Sequence, residues 1–527
     1  MKKLLFGYVI IGLAISLSAQ DQSLVPFGST WKYLDDGSNQ GTAWRSESFD
    51  DNLWQSGPAE LGYGDGDEST VVSYGTSSSD KHITTYFRHT FNITDVSTFK
   101  NFLIKLIKDD AALVYVNGQN VMRSNFGTSN YSYTSRPYSS SSGNEETILW
   151  EEMIDPSYFK NGDNVIAVEM HQYSATSSDL SFDLELTGLD DVPELYRKPY
   201  LQKTTPHAVT IKWKTTSPTS SRVKYGPSVV SQTNQIDSLS ETVNHEVRIS
   251  GLNPEEKYYY TVGNENIDFT TPALSYNFKT NPVIGNSVPT RIWVTGDAGT
   301  GHSGQLDVRD SYLNYAGGNG KADVWLMLGD NAYEYGREAD YHMGLFNVYD
   351  SILRNTVSFP AAGNHDFYGE ADPITETGTY YDIFDLPKNG ESGGVASGTE
   401  SYYSFDYGNI HFVCLESYGL NRDSTGTMAT WLKSDLQNNT SKWLVAYWHY
   451  APYTKVGHDS DDPGDHSGRA IDMRENINPI LEKYGVDLVL SGHSHGYERS
   501  VLLNGHYGFS NSLNSSMILD GESGKAD

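Results

Sequence analysis

Val324-Trp325-Leu326-Met327-Leu328-Gly329-Asp330-Asn331-Ala332-Tyr333 sets five apolar residues in a row against a glycine, a carboxylate, an amide and a phenol. An apolar run this short reads as a strand buried on both faces. Polar residues at its carboxyl end lie where sites form in α/β sheets. The pattern recurs on either side. Ile292-Trp293-Val294-Thr295 leads to Gly296-Asp297, and Phe359-Pro360-Ala361-Ala362 leads to Gly363-Asn364-His365-Asp366. Leu444-Val445-Ala446-Tyr447-Trp448 leads to His449, and Val486-Asp487-Leu488-Val489-Leu490 leads to Ser491-Gly492-His493-Ser494-His495. Helical stretches at 344–353, 427–436 and 471–484 alternate with these runs, so residues 285–527 read as an α/β domain.

The strand endings supply seven donors: Asp297, Asp330, Tyr333, Asn364, His449, His493 and His495. Carboxylate, amide, phenolate and imidazole together suit hard or borderline metals such as iron, manganese and zinc. Seven donors exceed what one tetrahedral ion takes and suit two ions that share a bridging carboxylate. Two ions roughly 3.5 to 4 Å apart form a clamp for in-line phosphoryl transfer. Glycine precedes the donors in four of the five endings, which lets the backbone turn sharply beside an ion.

Gly-Asp-x-Gly, Gly-Asp-x-x-Tyr, Gly-Asn-His-Asp, a histidine after an apolar strand, and Gly-His-x-His, in that order, resemble the purple acid phosphatases among the calcineurin-like metallophosphoesterases. The wider group commonly carries Asp-x-His in the first motif; here Gly299 stands two after Asp297, and Tyr333 adds a donor in the second motif. The resemblance implies that Asp297, Asp330, Tyr333 and His495 hold Fe(III). Asp330, Asn364, His449 and His493 would hold a divalent partner (Zn, Mn or Fe), with Asp330 bridging. It implies a phosphate monoesterase in which a metal-bound hydroxide attacks phosphorus and His365 protonates the leaving group. His458 resembles a second, substrate-facing histidine, with His466 the weaker candidate. Five positive charges less two carboxylates and a phenolate leave roughly +2 at such a site. A phosphodiesterase or nucleotide pyrophosphatase on the same centre is the alternative. From another class, the rival is a glycan- or surface-binding protein whose phosphatase domain is inert.

Upstream, residues 21–190 alternate in short runs broken by turn residues, with Asn117-Gly118 marking a tight hairpin and 134–144 a surface loop. This is an all-β sandwich. Trp44, the segment Phe49-Asp50-Asp51-Asn52-Leu53-Trp54 and Asp109-Asp110 resemble the galactose-binding-like jelly rolls, which implies glycan or surface contact, although tryptophans in such a sandwich are more often core. Asp65 and Asp67 read as a solvated turn ahead of a calcium loop. Residues 191–284 form a second β module, fibronectin type III-like, whose Pro199-Tyr200-Leu201-Gln202 resembles the phosphatase family's N-terminal domain. Gly299-Thr300-Gly301-His302-Ser303-Gly304 fits a dinucleotide fingerprint, but that reading puts Asp297 against a pyrophosphate and leaves the histidine motifs without a role. The fold class is therefore multidomain, two β-sandwich modules followed by an α/β metallophosphoesterase domain in which sheets are flanked by helices.

Net charge is -30, which argues against nucleic acid and anionic membranes as partners. Residues 1–20, with Lys2-Lys3, an apolar run from Leu4 to Leu17 and then Ser18-Ala19, read as a secretory signal peptide, too short for a span of roughly 20 residues. A secreted or periplasmic protein with a small phosphate-ester substrate is expected. The single Cys414 precludes an internal disulfide and reads as packing. The chain ends 32 residues after His495 in a loop-like Gly521-Glu522-Ser523-Gly524, which reads as a fragment of a longer protein.

Overall fold

A computed structural model describes residues 21–126, 131–141, 148–369 and 371–520 of the chain; the signal-peptide and terminal-loop readings fall outside these residues. Two six-stranded sheets occupy 22–189. One runs Trp150–Ile154, Asn101–Lys108, Leu180–Leu189, Leu61–Tyr63, Thr70–Val71, with Gln22–Val25 also on the Leu180–Leu189 strand. The other runs Gln55–Pro58, Thr30–Leu34, Thr84–Ile93, Gly162–His171, Ala111–Val116, Gln119–Ser124. Asn101–Lys108 shows why they pack: Phe102, Ile104 and Leu106 alternate inward and are fully buried. They share a core with Trp31, Phe87 and Phe182, the last stacked on Phe87 at 4.2 Å. The predicted hairpin forms at Asn117 and Gly118, both in the left-handed region at φ 51° and 85°. Trp31, Trp44 and Trp54 are buried, so none of the three is a sugar platform. At Asp65 the loop is closed by the Glu68 carboxylate, which accepts from the amides of Asp65 and Gly66, as a turn.

The next module is a five-stranded antiparallel sheet built on one 19-residue strand, Ala208–Gly226. Its first half pairs with Leu195–Gln202 and its last residues pair with Lys257–Gly263. Asn234–Ser250 follows it along both halves, with register shifts at 214–221. Tyr200, Trp213 and Tyr260 lie in one core with the C-terminal domain, and the hydroxyls of Tyr200 and Tyr260 donate to the carbonyls of Ile383 and Arg354 at 2.7 and 2.8 Å.

The C-terminal domain packs two sheets face to face. Ile292–Thr295, Val324–Leu328 and Val357–Ala361 are parallel neighbours. Tyr403–Tyr407 pairs antiparallel with Ile410–Cys414, which continues in parallel to Trp443–Tyr450 and Leu488–Gly492. Phe359 stacks on Phe405 at 3.6 Å across the gap. Helices cover the outer faces: Ser303–Asn319 and Asn347–Leu353 bring Tyr312 and Tyr349 onto Trp293 and Trp325. Thr427–Asn438 and the helical segment 469–483 lay Met428, Leu432, Met473 and Ile477 against Val413, Ala446 and Trp448. Cys414 is free and fully buried. Among the described residues no helix is long and apolar enough to cross a membrane.

Candidate metal centre

The five apolar strands deliver their polar ends to one place. His449 stands inside Trp443–Tyr450, and the other donors stand one to five residues beyond their strands. Two donor groups result, Asp297 with Asp330 and His495, and Asp330 with His449 and His493, so Asp330 is common to both. Tyr333 completes the first: its hydroxyl lies 3.2 Å from Asp330 Oδ2, 3.2 Å from His495 Nε2 and 3.4 Å from Asp297 Oδ1. Asn364 completes the second, with Oδ1 3.1 Å from His449 Nε2, which is itself 3.2 Å from His493 Nδ1 and 3.3 Å from Asp330 Oδ2. All seven donors read from the sequence are thus brought together.

Four of them have strained backbones. Asp297, Asp330, His493 and His495 sit at φ between 48° and 74°, the left-handed region that residues with a Cβ rarely enter. Such outliers persist where surrounding structure over-determines them. Here hydrogen bonds hold them: the His493 amide donates to both Asp297 carboxylate oxygens at 3.0 and 2.8 Å, and the His365 amide donates to Asp330 Oδ1 at 2.9 Å. Gly329, at φ 93°, lets His449 in, since a Cβ there would stand 2.5 Å from His449 Nδ1. Gly299 does the same for Tyr333. A Cβ on it would meet the Asn331 backbone at 2.3 Å, and its carbonyl accepts from the Tyr333 amide at 2.9 Å. No side chain fits at 299 while the loop carrying Tyr333 approaches this closely, which accounts for glycine in place of histidine there.

The electrostatics of the donors are those of a site suited to cations. Burial pushes Asp297 up to about 6, against the pull of His449. Burial acts on Asp330 too, but the imidazoles of His449 and His365 outweigh it and hold its carboxyl well below the usual range. His449 is opposed by burial and raised to about 9 by the two carboxylates. Burial, then its histidine neighbours His449, His458 and His466, keep His493 neutral, with a lone pair available. Burial and the Asp330 and Asp297 charges drive the Tyr333 phenol far above its ordinary value. Only a cation touching its oxygen would ionise it. The donor set fits a pair of ions of high charge.

His365 lies beside the centre, its Nδ1 2.7 Å from the Glu334 carbonyl and its Nε2 4.0 Å from Asp330 Oδ2. Burial lowers its pKa, and Asp330 opposes the shift. His458 stacks on His493 at 4.0 Å with Nδ1 3.0 Å from Asp465 Oδ1, and His466 meets His493 edge-on at 4.5 Å. Both loop histidines therefore reach the centre, His458 slightly the nearer. Sequence reasoning gave no role to Asp366, although it stands in the Gly-Asn-His-Asp motif. Fully buried, it accepts from the amides of Gly363 and Asn331 and from the Tyr341 hydroxyl, tying the second and third motifs together. It also missed Tyr368, whose hydroxyl accepts from Asn364 Nδ2 at 3.0 Å.

Residues 290–497, a span that holds every donor and all three flanking histidines, match the family model for calcineurin-like phosphoesterases. The C-terminal domain is therefore similar to the calcineurin-like phosphoesterases. Residues 198–280, in the β module packed on this domain, match the family model for the purple acid phosphatase N-terminal domain. Purple acid phosphatase 15 of Arabidopsis thaliana is 32% identical over 287 residues, 49% of this chain and 49% of that protein. Purple acid phosphatase 23 of the same plant is 30% identical over 284 residues, 48% of this chain and 57% of that one. The chain spans about half the length of these curated relatives. Among solved structures, PhoD overlays with a TM-score of 0.42 at 15% identity over 56% of this chain and 71% of that one, too loose a likeness to carry argument.

Proposed function

We propose that this protein hydrolyses phosphate monoesters as an acid phosphatase of the purple type. The observation that carries the reading is the pair of donor groups sharing Asp330, with a phenol on one side only. Asp297, Asp330, Tyr333 and His495 would hold Fe(III), and Asp330, Asn364, His449 and His493 a divalent ion. When bound, such a pair supplies the charge that activates water and neutralises phosphoryl oxygens. The chain's own residues do the rest. His458 and His466 stand over the His493 side, where donors to phosphoryl oxygens are needed. His365, its Nδ1 fixed by the Glu334 carbonyl, presents Nε2 toward the site and, as the imidazolium formed at acidic pH, gives its Nε2 proton to the leaving oxygen and is left neutral. The N-terminal residues 1–20 support export to the periplasm or exterior.

The test is a visible spectrum with metal analysis and a p-nitrophenyl phosphate assay from pH 4 to 9. Two ions per chain, a broad tyrosinate-to-iron band absent in Tyr333→Phe, and turnover reduced roughly 100-fold or more in His365→Ala are expected. A colourless protein with two divalent ions would move the assignment to another metallophosphoesterase; a metal-free protein without turnover would end it.

A further inference from the structure

The N-terminal sandwich does not stand apart from the phosphoesterase domain. Arg337, four residues after Tyr333, donates to the carbonyls of Arg123 and Phe126 in the sandwich at 3.2 and 2.6 Å. His342 lies 3.3 Å from Glu151 of the sandwich, and Ser139 Oγ donates to the Glu334 carboxylate at 3.3 Å. This docking carries the sandwich loop 131–141 to the metal centre. Tyr138 on that loop stands edge-on to His365, ring centroids 5.5 Å apart at 84°, and 6.5 Å from Tyr335. Tyr368 flanks the same imidazole at 4.8 Å. Tyr138 and Tyr368, from two domains, thus flank the histidine, Tyr335 lies 6.5 Å from each of them to close the rim, and Tyr138 keeps 55% of its surface open.

The loop is held in place. Asn125 Nδ2 donates to the Ser139 carbonyl at 2.7 Å, the Ser141 amide donates to Asp110 Oδ1 at 2.6 Å, and Thr84 Oγ1 donates to the Tyr133 carbonyl at 2.6 Å. A large aromatic side chain left half open on a pinned loop is a surface prepared for contact, because ordering it on binding costs little.

We propose that Tyr138 makes the N-terminal sandwich part of the active site, forming with Tyr335 and Tyr368 a subsite that takes the aromatic leaving group of an aryl phosphate. The inference rests on the hydrolase reading above for one step: the leaving oxygen must lie at His365, so whatever is bonded to that oxygen lies at the tyrosine rim. A flat ring meets ring edges and faces there; a short alkyl chain gains little.

The test uses the full metal-loaded chain and two non-hydrolysable probes, phenylphosphonate and methylphosphonate, titrated by calorimetry. Wild type is expected to bind the phenyl probe roughly five- to tenfold tighter than the methyl probe, the range an aromatic pair adds. Tyr138→Ala removes that preference while methylphosphonate affinity holds, and Tyr138→Phe restores it. Equal binding of the two probes by wild type, an unchanged preference in Tyr138→Ala, or an equal loss for both probes would overturn the subsite. Absence of p-nitrophenyl phosphate turnover would sink the hydrolase reading alone, since the two phosphonates report on the rim without any reaction.

Discussion

Gly299 decides more than its size suggests. A Cβ would stand 2.3 Å from the Asn331 carbonyl carbon and 2.4 Å from the Ala332 amide nitrogen, both immovable backbone. The loop bearing Tyr333 would have to retreat, and with it the phenol now 3.2 Å from Asp330 and His495. Overpacking of this kind costs about 1 to 3 kcal/mol. Gly299→Ala is therefore expected to lower the thermal unfolding midpoint by several degrees and to bind fewer than two ions per chain after dialysis. Atomic emission and calorimetry on the same sample check both, and unchanged values would show that the loop has slack. The clustering of the seven side chains was legible because six follow a strand within a few residues, His449 stands near the end of one, and each strand announces itself. Tyr138 was not, since it lies on a serine-rich loop more than 200 residues before the strand ending that carries His365, and its place comes from docking.

At the scale of elements, a buried histidine holds one outer helix to its sheet. His411, on Ile410–Cys414 and fully buried, has Nδ1 2.7 Å from Asp406 Oδ1 and Nε2 2.7 Å from Asp435 Oδ2 on Thr427–Asn438. Burial alone would lower its pKa, but hydrogen bonds to Asp406 and Asp435 raise it from the ordinary 6.5 to about 9. A pKa raised on folding means that the imidazolium contribution is complete below 6.5 and is lost as pH climbs through 9. At 1.36 kcal/mol per unit the loss is roughly 3 kcal/mol. In urea unfolding, wild type is expected to weaken over that window relative to His411→Gln, which keeps neutral donors between the carboxylates and has no proton to lose. Parallel pH profiles for the two proteins would show that His411 is neutral in the fold. The sequence showed the strand here but not the charge cluster, because Asp406, His411 and Asp435 meet only through packing. It also missed helix Ser303–Asn319. That segment offers a thin apolar face, chiefly Leu306, Tyr312 and Leu313, and follows the glycine-rich stretch whose dinucleotide reading was set aside.

Across the whole molecule the division into β modules and a C-terminal phosphoesterase domain was legible, since the period of the apolar residues changes near residue 288. The way the parts sit together was not, because several interface bonds run to backbone carbonyls, at Arg123, Phe126, Ile383 and Arg354, which no residue type advertises, and the ion pairs beside them, such as His342 with Glu151, join residues far apart in sequence. Charge is the other property of the whole. A chain of net charge -30 repels an anionic ester at long range, while the proposed pair of ions and the histidines beside it would attract it at short range. The Debye length separates the two, shrinking from about 30 Å at 0.01 M salt to about 8 Å at 0.15 M. Added salt within this window screens the distant carboxylates first and leaves the centre's own field largely intact. kcat/KM for p-nitrophenyl phosphate is therefore expected to rise roughly two- to fivefold between these salt concentrations, with sodium chloride and potassium acetate giving the same curve. An anionic substrate at a cationic centre would ordinarily show the reverse. A fall with salt would mean that the positive field of the centre extends beyond the cleft and outweighs the acidic surface, so that substrate is drawn in rather than merely admitted.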